Sequence, residues 1–448
     1  MAGVFPGLRK AETPGRSGAD KGAAIPDPQS IHDAAASSVA QTRRHTAGVP
    51  EGQWTVGLLF TARALRGFGD GFAAIILPAY LAAIGYGSFA IGIVAAAALL
   101  GSAALTILIG FVAPRHDLRN LLLAAAALMA ATGLAFPAAE HIVFVIAVAF
   151  IGTINPSSGD SGVFVPLEHA MLARGVSDQE RTRAFARYSL IGAFAAAAGA
   201  LAASIPEFMA AAGIGQVAAF RIMFYAYAFL GILAALLYRR LPHAQGQDTR
   251  ATPLGPSRAI VYRLAALFSL DSFAGGFAVQ SLMALWLFER FDLSLAAAGS
   301  FFFWSNVLAA LSYPIAARLA GRIGLVNTMV FTHIPSSICL ILAAFAPSLP
   351  VVLTLLLVRS ALSQMDVPTR TSYVMAVVTP AERTAAASVT AVPRSLAASL
   401  SPAVAGALLA MPFAGLPFVL CGALKIAYDL ALLRSFRHLR PPEEKLSR

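Results

Sequence analysis

Charge is what this 448-residue sequence lacks: 12% of its residues are Asp, Glu, Lys or Arg, against 58% hydrophobic, and mean hydropathy is +0.72. A water-soluble domain carries about 25% charged residues, so a soluble chain of this length would run short of polar groups to cover its surface. The bulk hydrophobicity likewise excludes intrinsic disorder outside the ends. Cysteine is nearly absent. Cys339 and Cys421 both fall in apolar stretches, which leaves no disulfide framework, no CxxC motif and no metal spacing. The early basic residues Arg9, Lys10, Arg16 and Lys21 precede no apolar h-region, so residues 1–50 read as a disordered tail and not as a signal peptide.

What the chain does have is long apolar runs. A spanning helix needs ~20 mostly apolar residues to cross ~30 Å of hydrocarbon. Twelve runs qualify, at about 56–84, 88–112, 119–137, 142–171, 184–205, 217–238, 261–288, 294–319, 325–346, 350–377, 384–409 and 414–435. The polar stretch Arg239 to Arg258 splits them six and six. The expected organisation is a cytoplasmic tail (1–50), a six-helix bundle (51–238), a cytoplasmic linker (239–260), a second bundle (261–435) and a short tail (436–448).

A net charge of +11 invites a nucleic-acid reading until the charges are placed. If the spans alternate from a cytoplasmic N-terminus, 24 of the 33 Lys and Arg lie on cytoplasmic segments, and two, Arg221 and Arg290, on outer loops. The positive-inside rule then puts both termini in the cytoplasm of a multi-pass inner or plasma membrane protein. The basic balance is topology, and the expected partners are lipid and a small molecule, with no nucleic acid.

The halves look like copies. At an offset of 202, Val165-Pro166 falls on Val367-Pro368 and Glu180-Arg181-Thr182 on Glu382-Arg383-Thr384; at 201, Asp70 falls on Asp271 and Phe72 on Phe273. A parallel repeat of six-helix halves places a substrate site at their interface. Twelve spans, this duplication and a central linker resemble the major facilitator superfamily of secondary transporters. The loop from Gly110 through Arg115 and Asp117 to Arg119 is similar to that family's signature between spans 2 and 3, with Pro114 where the family has an acid. In the second copy Arg322 and Gly324 fit and Gly321 replaces the acid. Arg359 with Gln364 resembles the family's Arg-x-x-x-x-Gln pattern, while the span from Gly192 to Gly199 lacks the Pro and paired Gly of its antiporters. The resemblance implies an all-α membrane protein of two pseudo-symmetric six-helix bundles, working by alternating access without a cofactor or metal, as a monomer.

Charges inside spans are costly, roughly 2.5–3.5 kcal/mol each at mid-bilayer on the insertion scale, and mark function or pairing. Asp70 and Asp271 sit deepest among the acids and are the candidates for proton coupling. Arg66 and Asp70 are four residues apart and can pair on one helix face, as can Asp366 and Arg370. Candidate cavity residues are Arg66, Arg359, Gln364, Asp366, Asn155, Gln280 and Arg394, with Arg359 suited to an anionic group. Candidate gate residues are Arg115, Asp117, Glu168, Arg322 and Arg370; Glu168 and Arg370 occupy matching repeat positions with opposite sign. His333 reads as a lone polar contact and Trp286 as an interface anchor.

The expected function is proton-coupled transport of a small organic molecule. The resemblance implies efflux, the commoner role of alanine-rich, short-looped members of that family, narrowly over the alternative, an uptake permease for an organic anion or zwitterion. A transporter-like membrane sensor is the reading from another class. Gly159-Asp160-Ser161-Gly162 imitates a protease string, but no His is placed to serve it, so an enzyme is not expected.

Overall fold

The structure, a computed structural model, describes residues 49–139, 141–157, 162–245, 254–379 and 382–436. The expected tails up to residue 48 and from 437, the linker centre at 246–253, and the Asp160-Ser161 pair lie outside them. Among the described residues the fold is sixteen α-helices and a 3-10 turn. The first half holds α1 (Val49–Ala83), α2 (Ser88–Val112), α3 (Leu118–Ala138), α4 (Ile142–Ile151), α5 (Phe164–Gly175), α6 (Asp178–Ala202), the short α7 (Ile205–Ala211) and α8 (Gln216–Tyr238). The second holds α9 (Arg258–Gly276), α10 (Gln280–Phe291), α11 (Leu295–Ile323), α12 (Leu325–Phe345), α13 (Leu349–Ser363), α14 (Asp366–Val377), α15 (Arg383–Leu409) and α16 (Leu416–Phe436).

These helices make the twelve expected spans, because spans 4, 7 and 10 are each broken into two: α4/α5, α9/α10 and α13/α14. Ten spans are long and apolar enough to cross a membrane by length and composition. The other two depart for physical reasons. Span 1 carries Arg63, Arg66 and Asp70, and span 4 is interrupted at Asn155-Pro156. Proline supplies no N–H to continue a helix, and Asn155 Oδ1 accepts from Ser157 N and Oγ at 3.0 Å, a local turn that competes with helix. Irregular backbone in a membrane must find polar partners inside the protein. Here the Ser281 amide, at the break of span 7, donates to Pro156 O at 3.0 Å and ties the two breaks across the halves.

Small residues set the helix crossings. A Cβ on Gly71 would lie 2.1 Å from Ala196 O, and one on Gly199 would lie 2.0 Å from Phe68 O. α1 and α6 therefore cross backbone against backbone, as small residues permit between membrane helices. The halves meet in the same way: Gly92 of α2 opposes Gly406 of α15, and Gly299 of α11 sits against Ala200 O of α6. Trp286 is not at an interface; it is 1% exposed, packed edge-on against Phe291 and Phe418.

Candidate functional site

Each half buries an ion-pair cluster between its first and fourth spans. In the first half Arg66 of α1 reaches Glu168 of α5, and Glu168 also accepts from Tyr188 and, at 2.6 Å, from the Tyr238 hydroxyl. Glu168 is 0% exposed and Arg66 3%. In the second half Asp271 of α9 meets Arg370 of α14 at 3.2 Å and Lys425 of α16 at 2.7 Å, while Arg370 also pairs with Asp366 one turn back. The signs are exchanged between the halves: the cation is on span 1 but the acid on span 7. A helix pair needs opposite charges but not a particular order, so the duplication keeps the bridge while reversing it.

This geometry revises several sequence expectations. Arg66 turns to Glu168 and not to Asp70. Glu168 and Arg370 do not face each other; each is paired within its own half. Asp366 does pair with Arg370, but both are buried, so Asp366 supports its neighbour. His333 is no lone contact: its ring lies 3.1 Å from Asp429 Oδ1 and 3.2 Å from Lys425 Nζ. Asp117 caps α3 by accepting from the Arg119 amide at 2.9 Å and holds the linker through His243 and the Ala244 amide. Burial by itself would raise its pKa, but these hydrogen bonds keep the carboxyl below the usual range. Arg115 and Arg322 are exposed on the linker face.

Glu382 holds the other end of the linker. It accepts from Thr379 Oγ1 at 2.6 Å, Ser257 Oγ at 2.7 Å and the Gly255 amide, which hold its pKa at about 2. The two ends of the linker are therefore clamped by one carboxylate from each half.

Between the halves lie connected polar spaces. The largest, of about 880 Å³, runs from mid-span toward the linker face, bounded by Ser102 and His169 on one side and Asp271, Arg370, Arg394 and Lys425 on the other. A second, of about 220 Å³, lies against the breaks of spans 4, 7 and 10 and is lined by Ser157, Gln280, Asn306, Ser337, Arg359 and Gln364. A third, of about 290 Å³, brings Asp70 together with Asn306, Gln364 and Arg394. Gln364, which ends α13, borders all three. Asn155 is buried behind Ser157 and shapes the turn there.

Two cations in these walls, Arg359 and Arg394, have no ion pair among the described residues, and Arg359 is the one at the breaks of the spans. Among the described residues its guanidinium has no carboxylate and no hydrogen-bond acceptor, and beside it Gln280 Nε2 and Ser337 Oγ are buried without partners. Asp70 is half-buried and, among the described residues, accepts only from Tyr227, at 3.3 Å. Away from the linker the halves are joined: Ser88 Oγ donates to Glu289 Oε1 at 2.7 Å and the Ala296 amide to Glu207 Oε2 at 2.8 Å. With Arg394 and Ser395 exposed on the cavity wall, the protein stands open toward the linker face and closed on the opposite one.

A family model described as Major Facilitator Superfamily matches the chain twice, over residues 59–270 and 264–448. The chain belongs to the major facilitator superfamily. Uncharacterized membrane protein YJR124C of Saccharomyces cerevisiae is 24% identical over 417 residues, covering 85% of this chain and 93% of that protein. Among solved structures, a single-substitution variant of the nucleoside transporter NupG matches with a TM-score of 0.70 at 14% identity, over 85% of this chain and 100% of that one. The xylose transporter XylE from E. coli, in an inward open conformation, matches with a TM-score of 0.68 at 14% identity, over 85% and 96%. At such identities the likeness is one of fold.

The doubled match explains the repeats found in the sequence, and superfamily membership makes this a multi-pass membrane protein built to carry small molecules. Sequence reading passed over Tyr227 and Asp429. A signal existed for the first: Tyr227 and Tyr428 stand 201 residues apart, the same offset as Asp70 and Asp271. For Asp429 there was none, since it lies on a face of α16 that only the packing identifies.

Proposed function

We propose that this member of the superfamily is a proton-coupled secondary transporter of a small organic anion or zwitterion, moved by alternating access of the two bundles around Arg359. The observation that carries the reading is the unpaired Arg359 guanidinium beside orphaned donors in the polar space at the span breaks. A half-buried cation inside a membrane span without a counter-charge is expensive, and a substrate carboxylate or similar anion supplies what is missing. Asp70 is the proposed proton carrier, because Asp271 is already neutralised in direct ion pairs with Lys425 and Arg370, whereas Asp70 is bonded to a tyrosine hydroxyl and, with Arg63 and Arg66 near it, forms no ion pair among the described residues.

The direction follows from linkage. Protonating Asp70 removes a negative charge from the wall it shares with Gln364 and Arg394, so an anion binds more tightly, and reciprocally the anion favours the proton. Ligands that promote each other's binding travel together, which is symport and supports uptake. The efflux that the resemblance implies would need proton and substrate to compete, as a cationic substrate would. Membrane orientation enters the same way: the Lys and Arg asymmetry supports a cytoplasmic linker face, so the state described is inward-open.

Counterflow of a panel of radiolabelled organic anions, zwitterions, cations and neutral sugars into proteoliposomes tests this. Arg359→Gln is expected to fold normally and to raise the half-saturating anion concentration at least tenfold, the effect of one lost charged contact of about 1.5–3 kcal/mol. Exchange of cations alone, or anion exchange indifferent to Arg359→Gln, would overturn it.

A further inference from the structure

Around His333 the second half holds a cluster that the proposed transport cycle has not used. Its acids are Asp271 of α9, Asp366 of α14 and Asp429 of α16; its cations are Arg370 of α14 and Lys425 of α16. With a neutral imidazole the cluster is one positive charge short. The hydrogen bonds also fix the tautomer. An ammonium has only donors, so His333 Nε2, 3.2 Å from Lys425 Nζ, must accept, and the ring proton sits on Nδ1, donated to Asp429 Oδ1 at 3.1 Å. Asp429 is 0% exposed and its second oxygen has no partner among the described residues, so the missing charge is felt on that side of the ring.

We infer that His333 is a second proton-binding site of the transporter, whose proton turns Nε2 from acceptor to donor and breaks the imidazole contact of the Lys425 ammonium, which then pivots on its bridge to Asp271 toward the substrate space. The proton adds to the Nε2 lone pair from the cavity, and no other bond changes. His333⁺ and Lys425⁺ then cannot keep their contact. Lys425 already borders both the 220 Å³ and the 880 Å³ spaces, so the displaced ammonium joins Arg359 in facing an anion. Opposing influences surround the ring from every packed element. Asp429 and Asp271 (3.9 Å away) favour the proton, with Asp366 behind them; Lys425, Arg370, Arg359 and Arg394 oppose it, and the Tyr428 ring stands edge-on at 6.2 Å. The inference deepens the anion–proton reading and rests on it for the role of Lys425, but the titration itself stands alone.

The test is histidine NMR on the full chain, ¹⁵N- and ¹³C-labelled at histidine, in lipid nanodiscs, with the His333 signals assigned by their loss in His333→Gln. The expected result is a neutral Nδ1–H tautomer at high pH that takes up a proton as pH falls. Lys425→Met should move the midpoint up by at least about one pH unit, and Asp429→Asn should move it down by as much. Unchanged signals from the other histidines show that each variant is folded. An Nε2–H tautomer, a ring neutral down to pH 5, or a midpoint indifferent to Lys425→Met would overturn the inference. Asp70→Asn, in the other half, should leave the titration where the parent has it, so failure of the transport reading shows separately from failure here.

Discussion

Replacing Glu168 by Gln removes the counter-charge of a cation that cannot reach water. Arg66 is 3% exposed, enclosed by Glu168, Tyr188 and, under its guanidinium, the Phe164 ring at 4.1 Å. With the new amide oxygen kept on the Tyr238 hydroxyl, the side where Tyr188 and Arg66 meet Glu168 loses its acceptor. The amide NH₂ then faces the guanidinium, donor against donor. Breaking one partner out of a buried pair costs about 3–5 kcal/mol, a factor of roughly 10² to 4 × 10³ in the folding equilibrium. The pair also gives the remedy: Arg66→Met in the same chain removes the stranded charge, and the double variant should recover most of the loss. The assay is reversible unfolding in mixed micelles, analysed as a double-mutant cycle. Additive single effects, or a Glu168→Gln variant within about 1 kcal/mol of the parent, would refute the reasoning that these charges compensate each other and nothing else.

Three further outcomes follow from the geometry. Asp70→Asn keeps the Tyr227 hydrogen bond but loses the proton, so the accumulation of anion at a gradient of one pH unit should fall about tenfold for that one coupled proton; unchanged accumulation would move the proton elsewhere. Glu382 has a folded-state pKa of about 2, below its ordinary value near 4.5. Its contribution to holding the linker is present above that ordinary value and lost as pH falls through 2, so Glu382→Gln should speed proteolysis of the linker at pH 7 and match the parent near pH 2. A side chain on Gly406 would strike Ser88 O and Gly92, 2.5 and 2.8 Å from the Cβ position. Gly406→Val should therefore pry apart the face away from the linker, read as faster thiol labelling of a cysteine placed at Ser88 in a background free of Cys339 and Cys421; slower labelling would contradict that placement of the interface.

The fold was legible because its signals are long and periodic. Apolar runs, a polar divide and two repeat frames predict the spans, and the helices follow them to within a few residues at most ends. Span 1 was visible despite its charges, since Gly67 and Gly71 and the apolar second half of the helix frame them. The site was legible only in part. Arg359 could be singled out because a cation inside a span without an acid at i+4 stands out in sequence. The Arg66–Glu168 and Asp271–Lys425 bridges could not, because which helix answers a charge depends on crossings set by glycine contacts such as Gly71 against Ala196. His333 was misjudged for the same reason: its partners lie 92 and 96 positions away.

Proton movement during anion entry bears most directly on the central claim. Proteoliposomes loaded with a pH-sensitive dye, given an anion that supports counterflow, are expected to acidify inside as the anion enters, at a rate that falls with Arg359→Gln and with Asp70→Asn. Internal alkalinisation on anion entry, or anion entry with no proton movement at all, would contradict it.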